Sequence, residues 1–169
     1  MNLTTTRLTL RRPDAEDWDA FRDYFTSDRS VPLGGPNSVG QSWRIFALHL
    51  GHWAVRGYGC WAVTRRGERR AIGLVGPWFP VDWPEREIGW TILDAEAEGK
   101  GYAHEAALAA LDHAFATLGW ATAVSYVNTQ NTRSRALAER LGAAVDPGAA
   151  WPASFVEPHL VYRHRGGRA

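Results

Sequence analysis

The sequence predicts an α+β fold, a mixed but mostly antiparallel central sheet flanked by helices, on three observations. Three runs of strand character, "GCWAVTRR", "RAIGLVGPWFP" and "REIGWTILD", follow one another, the first two joined by a turn at Gly67, as in an antiparallel meander. Apolar residues at helical spacing precede and follow this block. The chain has 169 residues, 45% hydrophobic and 22% charged, which suits one domain over 1–169 with a core of its own.

Residues 7–11, "RLTLR", alternate polar and apolar and read as a strand with Leu8 and Leu10 inward. Pro13 ends it, and Asp14 or Asp17 can cap a helix that carries Trp18, Phe21, Tyr24 and Phe25 and closes by Ser27. The Gly-, Pro- and Ser-rich stretch 28–42 reads as a loop, after which helical spacing returns at Trp43, Phe46, Ala47, Leu50 and Ala54. In the third meander strand, Ile88, Trp90 and Ile92 share one face while Glu87, Gly89, Thr91 and Leu93 share the other. From Tyr102 to Leu118 a helix presents Leu108, Leu111, Phe115 and Leu118, with Gly119 placed to cap it. "TAVSYVN" is a further strand. A shorter helix follows Asn131 as N-cap and ends at Gly142; a loop over 146–154 then leads to a last strand near "PHLVYRH".

Formal charge is +1 at neutral pH, so no bulk excess draws the chain to nucleic acid, and the basic tail Arg163, Arg165, Arg168 reads as solvated. No stretch approaches the roughly 20 apolar residues that span a membrane, and "MNLTTTRLTL" lacks the pattern of a signal peptide, so a cytoplasmic protein with no membrane partner is expected. Cys60 is the one cysteine, which excludes an internal disulfide and reads as a buried thiol. His49, His52, His159 and His164 have no cysteine or carboxylate cluster beside them, so no metal site is expected.

The stretch "EGKGYAHEA" at 98–106 is the strongest functional signal. Gly99 and Gly101 leave the backbone bare, and a helix starting near Tyr102 offers unpaired N–H groups and the positive end of its dipole, the outline of a phosphate cradle. Lys100 adds a mobile charge, Ala103 keeps the first turn small, and His104 in that turn is a candidate minor contact. The spacing matches neither a P-loop nor a dinucleotide fingerprint, which argues against a nucleoside triphosphate site.

Four stretches in order, "TTRLTLRRP", "REIGWTIL", "EGKGYAHEA" and "NTQNTRSRALAERLGA", cover about residues 4–164 and together resemble the GNAT superfamily of acyl-CoA-dependent N-acyltransferases. Within it they look like the ribosomal-protein N-terminal acetyltransferases of the RimJ and RimL type. The family's loop pattern Q/R-x-x-G-x-G/A fits from Glu98 to Ala103, with glutamate in place of the usual glutamine or arginine. The resemblance implies strands that splay into an acyl-CoA cleft and backbone amides of 99–104 on the phosphates. It also implies a cofactor arm along Thr91, Ile92 and Leu93, with Asn131 touching the arm and an N–H near Leu93 polarising the thioester carbonyl.

The implied reaction is direct attack of an amine on the acetyl thioester of acetyl-CoA, which needs a base and a proton for the thiolate. Glu87 matches a glutamate found in many relatives and is the candidate base, with Glu85 in reserve. The position where many relatives carry a tyrosine is Ala138, so Ser134, also a candidate cofactor contact, is the candidate proton donor, with Tyr126 the other hydroxyl. The acceptor would be a small-molecule amine or a protein N-terminus entering between 28–42 and 146–157. Asp82, Trp83 and Trp151 are candidate contacts, an acid among loop aromatics suiting a protonated amine. Relatives commonly form homodimers. A non-catalytic acyl-CoA-binding sensor or partner module is the alternative that the absent tyrosine and acidic Glu98 support.

Overall fold

The computed structural model describes residues 2–166. In chain order the elements are β1 (Leu3–Thr4), β2 (Leu8–Arg11), α1 (Trp18–Phe25), α2 (Val39–Arg56), β3 (Trp61–Arg65), β4 (Ala71–Trp78), β5 (Glu87–Ile92), α3 (Tyr102–Ala116), β6 (Thr122–Asn128), α4 (Thr132–Arg140), β7 (Ala144–Val145) and β8 (His159–Arg165). The strands form one mixed, mostly antiparallel sheet ordered β1-β2-β3-β4-β5-β6-β8-β7. Its single parallel pairing is β5 with β6.

Local chemistry sets the boundaries. α2 begins at Val39, upstream of the apolar residues that reveal it in the sequence, because Ser38 and Gln41 form a reciprocal capping box. The segment before it is not all loop: Asp28–Leu33 is a 3-10 helix. β1 and β7 are two residues each, too short to show alternation. Arg163 is no part of a solvated tail, since it lies in β8 and bonds Glu85 and Asp146; Arg168 falls outside the described residues.

One face of the sheet is covered by α3, and the buried stripe of that helix is mostly alanine, with Leu111 among the alanines. Ala106, Ala107, Ala110 and Ala114 are fully buried against Leu8, Val63, Ile72 and Ile88, whereas Leu108, Phe115 and Leu118 are only partly buried. Methyl-sized side chains let the helix axis approach the sheet closely. The other face packs Phe21, Phe25 and Phe46 from α1 and α2 against Leu74, Trp78 and Leu93. A β-bulge at Ile72, between the pairs Thr64↔Ala71 and Val63↔Gly73, lets β4 serve both faces.

The feature that creates the site is a divergence. β5 and β6 pair only at Glu87↔Val124, where Val124 N–H donates to Arg86 C=O at 2.9 Å. One step further the Ser125 hydroxyl donates to Ile88 C=O at 2.6 Å, and beyond it no ladder joins the two strands. Since that hydroxyl proton is committed, Ser125 must accept from His164 Nε2, 3.0 Å away. Burial pushes the His164 pKa down to about 4, so the ring is neutral and carries its proton on Nε2.

Substituting Ser125→Ala would strand a buried carbonyl and a buried ring N–H at the fork. The expected loss is about 1–3 kcal/mol in urea unfolding, and an unchanged midpoint would show that the strands diverge without this link.

Candidate active site

Two cavities meet at the divergence, one of about 660 Å³ beside the start of α3 and one of about 570 Å³ towards α1 and α2. Both are lined by Pro32, Leu33, Trp90, Thr91, Asn131 and Ser134, so these residues form the passage between them.

The first cavity contains the glycine loop. Gly99 and Gly101 hold φ of +71° and +78°, left-handed values that suit glycine, and Gly101 is the N-cap of α3. Among the described residues, the N–H groups of Gly99, Gly101, Tyr102, Ala103 and His104 meet no protein acceptor. They therefore point a row of donors and a helix dipole at the cavity. Arg7, in the bend between β1 and β2, steadies the loop: its guanidinium donates to Lys100 C=O at 2.9 Å and to Glu105 at 2.6 Å.

The positive charge comes from an unexpected place. Lys100 is exposed, and its side chain does not join the cavity wall. Glu98 instead binds Arg29 at 2.5 Å and Arg133 at 2.6 Å, and both arginines line the cavity. Burial alone would raise the Glu98 carboxyl, but the hydrogen bonds and charges of Arg29 and Arg133 hold it below its ordinary value. The glutamate that departs from the loop pattern thus gathers two guanidinium groups where the pattern would place one polar side chain. Nothing near Glu98 in the sequence signals Arg29, which lies in the 3-10 segment far upstream.

Along β5 the backbone alternates. Arg86 and Ile88 turn their carbonyls to β6, so Trp90 and Ile92 also present their backbone groups to the gap, while the Thr91 carbonyl lies against Gly73 of β4. Of the N–H groups near Leu93, its own is engaged. The bulged Ile72 carbonyl takes the N–H of Leu93 at 2.9 Å and of Asp94 at 3.2 Å. Arg29 also caps the carbonyls of Ile92 at 2.9 Å and Leu93 at 2.6 Å. The free donors of this edge are therefore at Trp90 and Ile92.

Asn131 caps α4, its Oδ1 accepting from Ser134 N–H at 3.0 Å, and its side-chain nitrogen has no partner among the described residues. Ser134 Oγ accepts from the Trp90 indole at 3.2 Å, which leaves its own proton to donate. Ala138 is fully buried against Val127 and Tyr162 and itself offers no hydroxyl.

At the fork the second cavity holds Glu87. Its carboxylate accepts from Trp83 Nε1 at 2.6 Å, and Gly89, two residues on along the same face, leaves the space above it clear. Burial pushes the Glu87 pKa up to about 7, against the opposing hydrogen bonds from Trp83 and the Tyr126 backbone. Burial likewise pushes Tyr126 up to about 12, so its hydroxyl, which accepts from Glu85 N–H at 3.2 Å, stays protonated. The reserve base is not available: Glu85 forms a bidentate pair with Arg163 at 2.7 and 2.8 Å.

Of the loop residues expected at the acceptor side, Trp83 lines the cavity, but Asp82 and Trp151 are exposed and outside its lining. Their neighbours in sequence were the wrong guide, because loop residues point where the loop's own turns send them. Phe155 and His49, which the sequence reading did not place here, do line it. His49 lies against Trp78 at a ring distance of 4.3 Å, and burial, with the nearby His52, pushes its pKa down to about 3. Burial drives the Cys60 thiol well above its ordinary value, which suits packing and not nucleophilic attack. No cluster of metal-binding side chains occurs among the described residues, and no helix there is long and apolar enough to cross a membrane.

A half-buried carboxyl that titrates near 7 gives a stability signature. Its folded pKa lies above the unfolded value of about 4.3, so stability falls as pH rises through about 7. Glu87→Gln removes that fall, so its melting temperature should gain on wild type as pH rises from about 4 to about 7 and hold that gain above it. Parallel curves for the two proteins would place the Glu87 pKa in the ordinary range.

The chain matches the family model described as an acetyltransferase (GNAT) domain over residues 7–144. The solved structure of an acetyltransferase from Agrobacterium tumefaciens strain C58 superposes with a TM-score of 0.90 at 41% identity, covering 98% of this chain and 94% of that one. An uncharacterised N-acetyltransferase of Bacillus subtilis, YnaD, is 28% identical over 145 residues, 84% of this chain and 82% of that protein. RimL, the ribosomal L7/L12 alpha-N-protein acetyltransferase solved with coenzyme A, superposes with a TM-score of 0.75 at 16% identity, covering 98% of each chain. A likeness at that identity speaks for the fold alone.

Proposed function

This chain belongs to the GNAT acetyltransferase family, and on that premise we propose that it is a cytoplasmic N-acetyltransferase taking the acetyl group of acetyl-CoA to a primary amine by direct attack in a ternary complex. The observation that carries the reading is Glu87, a half-buried carboxyl whose pKa is pushed up to about 7, standing where the acceptor cavity meets the divergent strands. A base with that pKa is half ionised at neutral pH and strong enough to take a proton from the acceptor's ammonium before its nitrogen attacks, directly or through water.

The protein groups suit the cofactor. Free amides from Gly99 to His104, with Arg29 and Arg133 beside them, fit the phosphates. The open backbone of Trp90 and Ile92 fits an amide-bearing arm, and Asn131 can donate to it. Acetyl-CoA would supply the activated acyl group. Glu87 takes one proton from the acceptor's ammonium and frees its lone pair; the N–C bond then forms, the C–S bond breaks, and the second nitrogen proton passes to water. The Ser134 hydroxyl, oriented by the Trp90 indole, gives the departing thiolate its proton and is refilled from water. An amide of Trp90 or Ile92 would carry the developing negative charge on the carbonyl oxygen.

The acceptor in this reading is a small-molecule amine or a protein N-terminus, the latter in keeping with what RimL acts on. A sensor that only binds acyl-CoA would need no enclosed base, and Glu87 favours the enzyme.

Acetyl-CoA should raise the melting temperature and ATP should not; at a ligand concentration about 100 times Kd the gain corresponds to about 2.7 kcal/mol. No shift with acetyl-CoA would remove the cofactor assignment. With an acceptor in hand, kcat/KM should climb as pH passes through about 7, because the base must be ionised, and Glu87→Gln should lower kcat about 10²–10⁴-fold. The acetyl-CoA shift of that variant should match wild type. A pH-independent rate, or a Gln variant of full activity, would exclude Glu87 as the base.

A further inference from the structure

The acceptor cavity has a charge inventory that narrows the amine. Its lining contains no lysine, arginine or aspartate, and its only carboxylates are Glu87 at the fork and the exposed Glu157 at the rim. Two histidines line it: burial keeps His49 neutral, and His159 lies against Phe155 at a ring distance of 4.4 Å, its Nδ1 2.7 Å from the Glu157 carbonyl. Around Glu87 the rings of Trp83, Tyr126 and Phe155 stand nearly at right angles to one another. Trp83 and Phe155 are 5.4 Å apart at 90°, Tyr126 and Phe155 6.1 Å at 82°, and Trp83 and Tyr126 6.5 Å at 78°. Three aromatic walls with one carboxylate make a box for a single ammonium group. Away from the box the wall turns aliphatic and aromatic, with Phe25, Val31, Leu33, Ile45, Leu48 and Leu74.

We propose that the acceptor is a lipophilic monoamine, one primary amino group on an aromatic or branched aliphatic body, with neither a second cation nor a carboxylate beside it. This rests on the transferase reading and adds the substrate class to it. A polyamine or an aminoglycoside would bring further ammonium groups to walls with no buried carboxylate left to pair them, and burying an unpaired charge is costly. A free amino acid would bring its carboxylate to a cavity whose lining offers it no lysine or arginine. An arylalkylamine meets every wall, and so does the first residue of a peptide that begins with a large apolar side chain. A cavity of about 570 Å³ has room for such a body.

The test uses the full chain with acetyl-CoA and five acceptors: 2-phenylethylamine, a peptide amide beginning with phenylalanine, spermidine, kanamycin and free phenylalanine. Release of free CoA thiol gives the rates, and quenching of tryptophan fluorescence by the amine alone gives binding. The expected result is a kcat/KM for 2-phenylethylamine or the peptide at least about 100-fold above the other three. The faster of those two identifies the source of the amine. Phe155→Ala and the bulkier Phe155→Leu should each raise KM for the favoured amine about 3- to 30-fold, with the acetyl-CoA melting shift unchanged. Equal or faster transfer to spermidine, kanamycin or free phenylalanine would overturn the substrate class and leave the transferase standing. Wild-type KM in both Phe155 variants would overturn the aromatic box. Acetyl-CoA binding without thiol release for any amine would overturn the transferase reading, and this proposal with it.

Discussion

Everything at the site depends on β5 and β6 parting after a single pairing. A sheet that kept its ladder past Ile88 would have no free edge, no passage between the two cavities and no path from Glu87 to the start of α3. The fork is held by side-chain chemistry where the backbone ladder stops: Ser125 bonds Ile88 across the gap and is itself held by His164 of β8. Backbone groups beyond that point stay unpaired because the strands have moved apart, and unpaired backbone in a cleft is a binding surface for any extended amide chain.

Arg29 gives the two halves of the site a physical connection. It belongs to the 3-10 segment that lines the cavity at Glu87 through Val31, Pro32 and Leu33, yet its guanidinium reaches across to Ile92, Leu93 and Glu98 beside the glycine loop. Glu98 answers it and draws in Arg133 from α4. Three elements distant in sequence thereby meet at one carboxylate. At the opposite end Glu87 is treated in the reverse way. It has aromatic neighbours and no cation, so burial dominates and raises its pKa, whereas Glu98 has two cations and stays ionised. Two glutamates eleven residues apart thus acquire different chemistry from their surroundings alone.

Much of the fold was legible because it rests on periodicity. The meander, α1, α3, β6 and β8 show alternation or helical spacing over enough residues to be read, and the glycine loop shows itself by composition. β1 and β7 did not, since two residues carry no period. The start of α2 was hidden because its cap is polar and the apolar spacing begins later. The packing face of α3 was only partly read from its apolar spacing: Leu111 is buried as expected, but the fully buried positions are alanines, selected by closeness of approach to the sheet.

The sequence by itself determined the α+β architecture, the cradle at 98–106, the strand that bears Glu87, and Asn131 as the cap that sets Ser134 one helical turn on. These are properties of neighbouring residues, and local geometry settles them. Only the tertiary structure decided which side chains share a cavity. It placed Arg29 and Arg133 on Glu98, gave the Leu93 N–H to the bulged Ile72, tied Glu85 to Arg163, and brought Trp83, Tyr126 and Phe155 around Glu87 while leaving Asp82 and Trp151 in solvent. Each of these depends on packing between elements far apart in the chain, and burial, which sets the pKa of Glu87, exists only once those elements have closed over it.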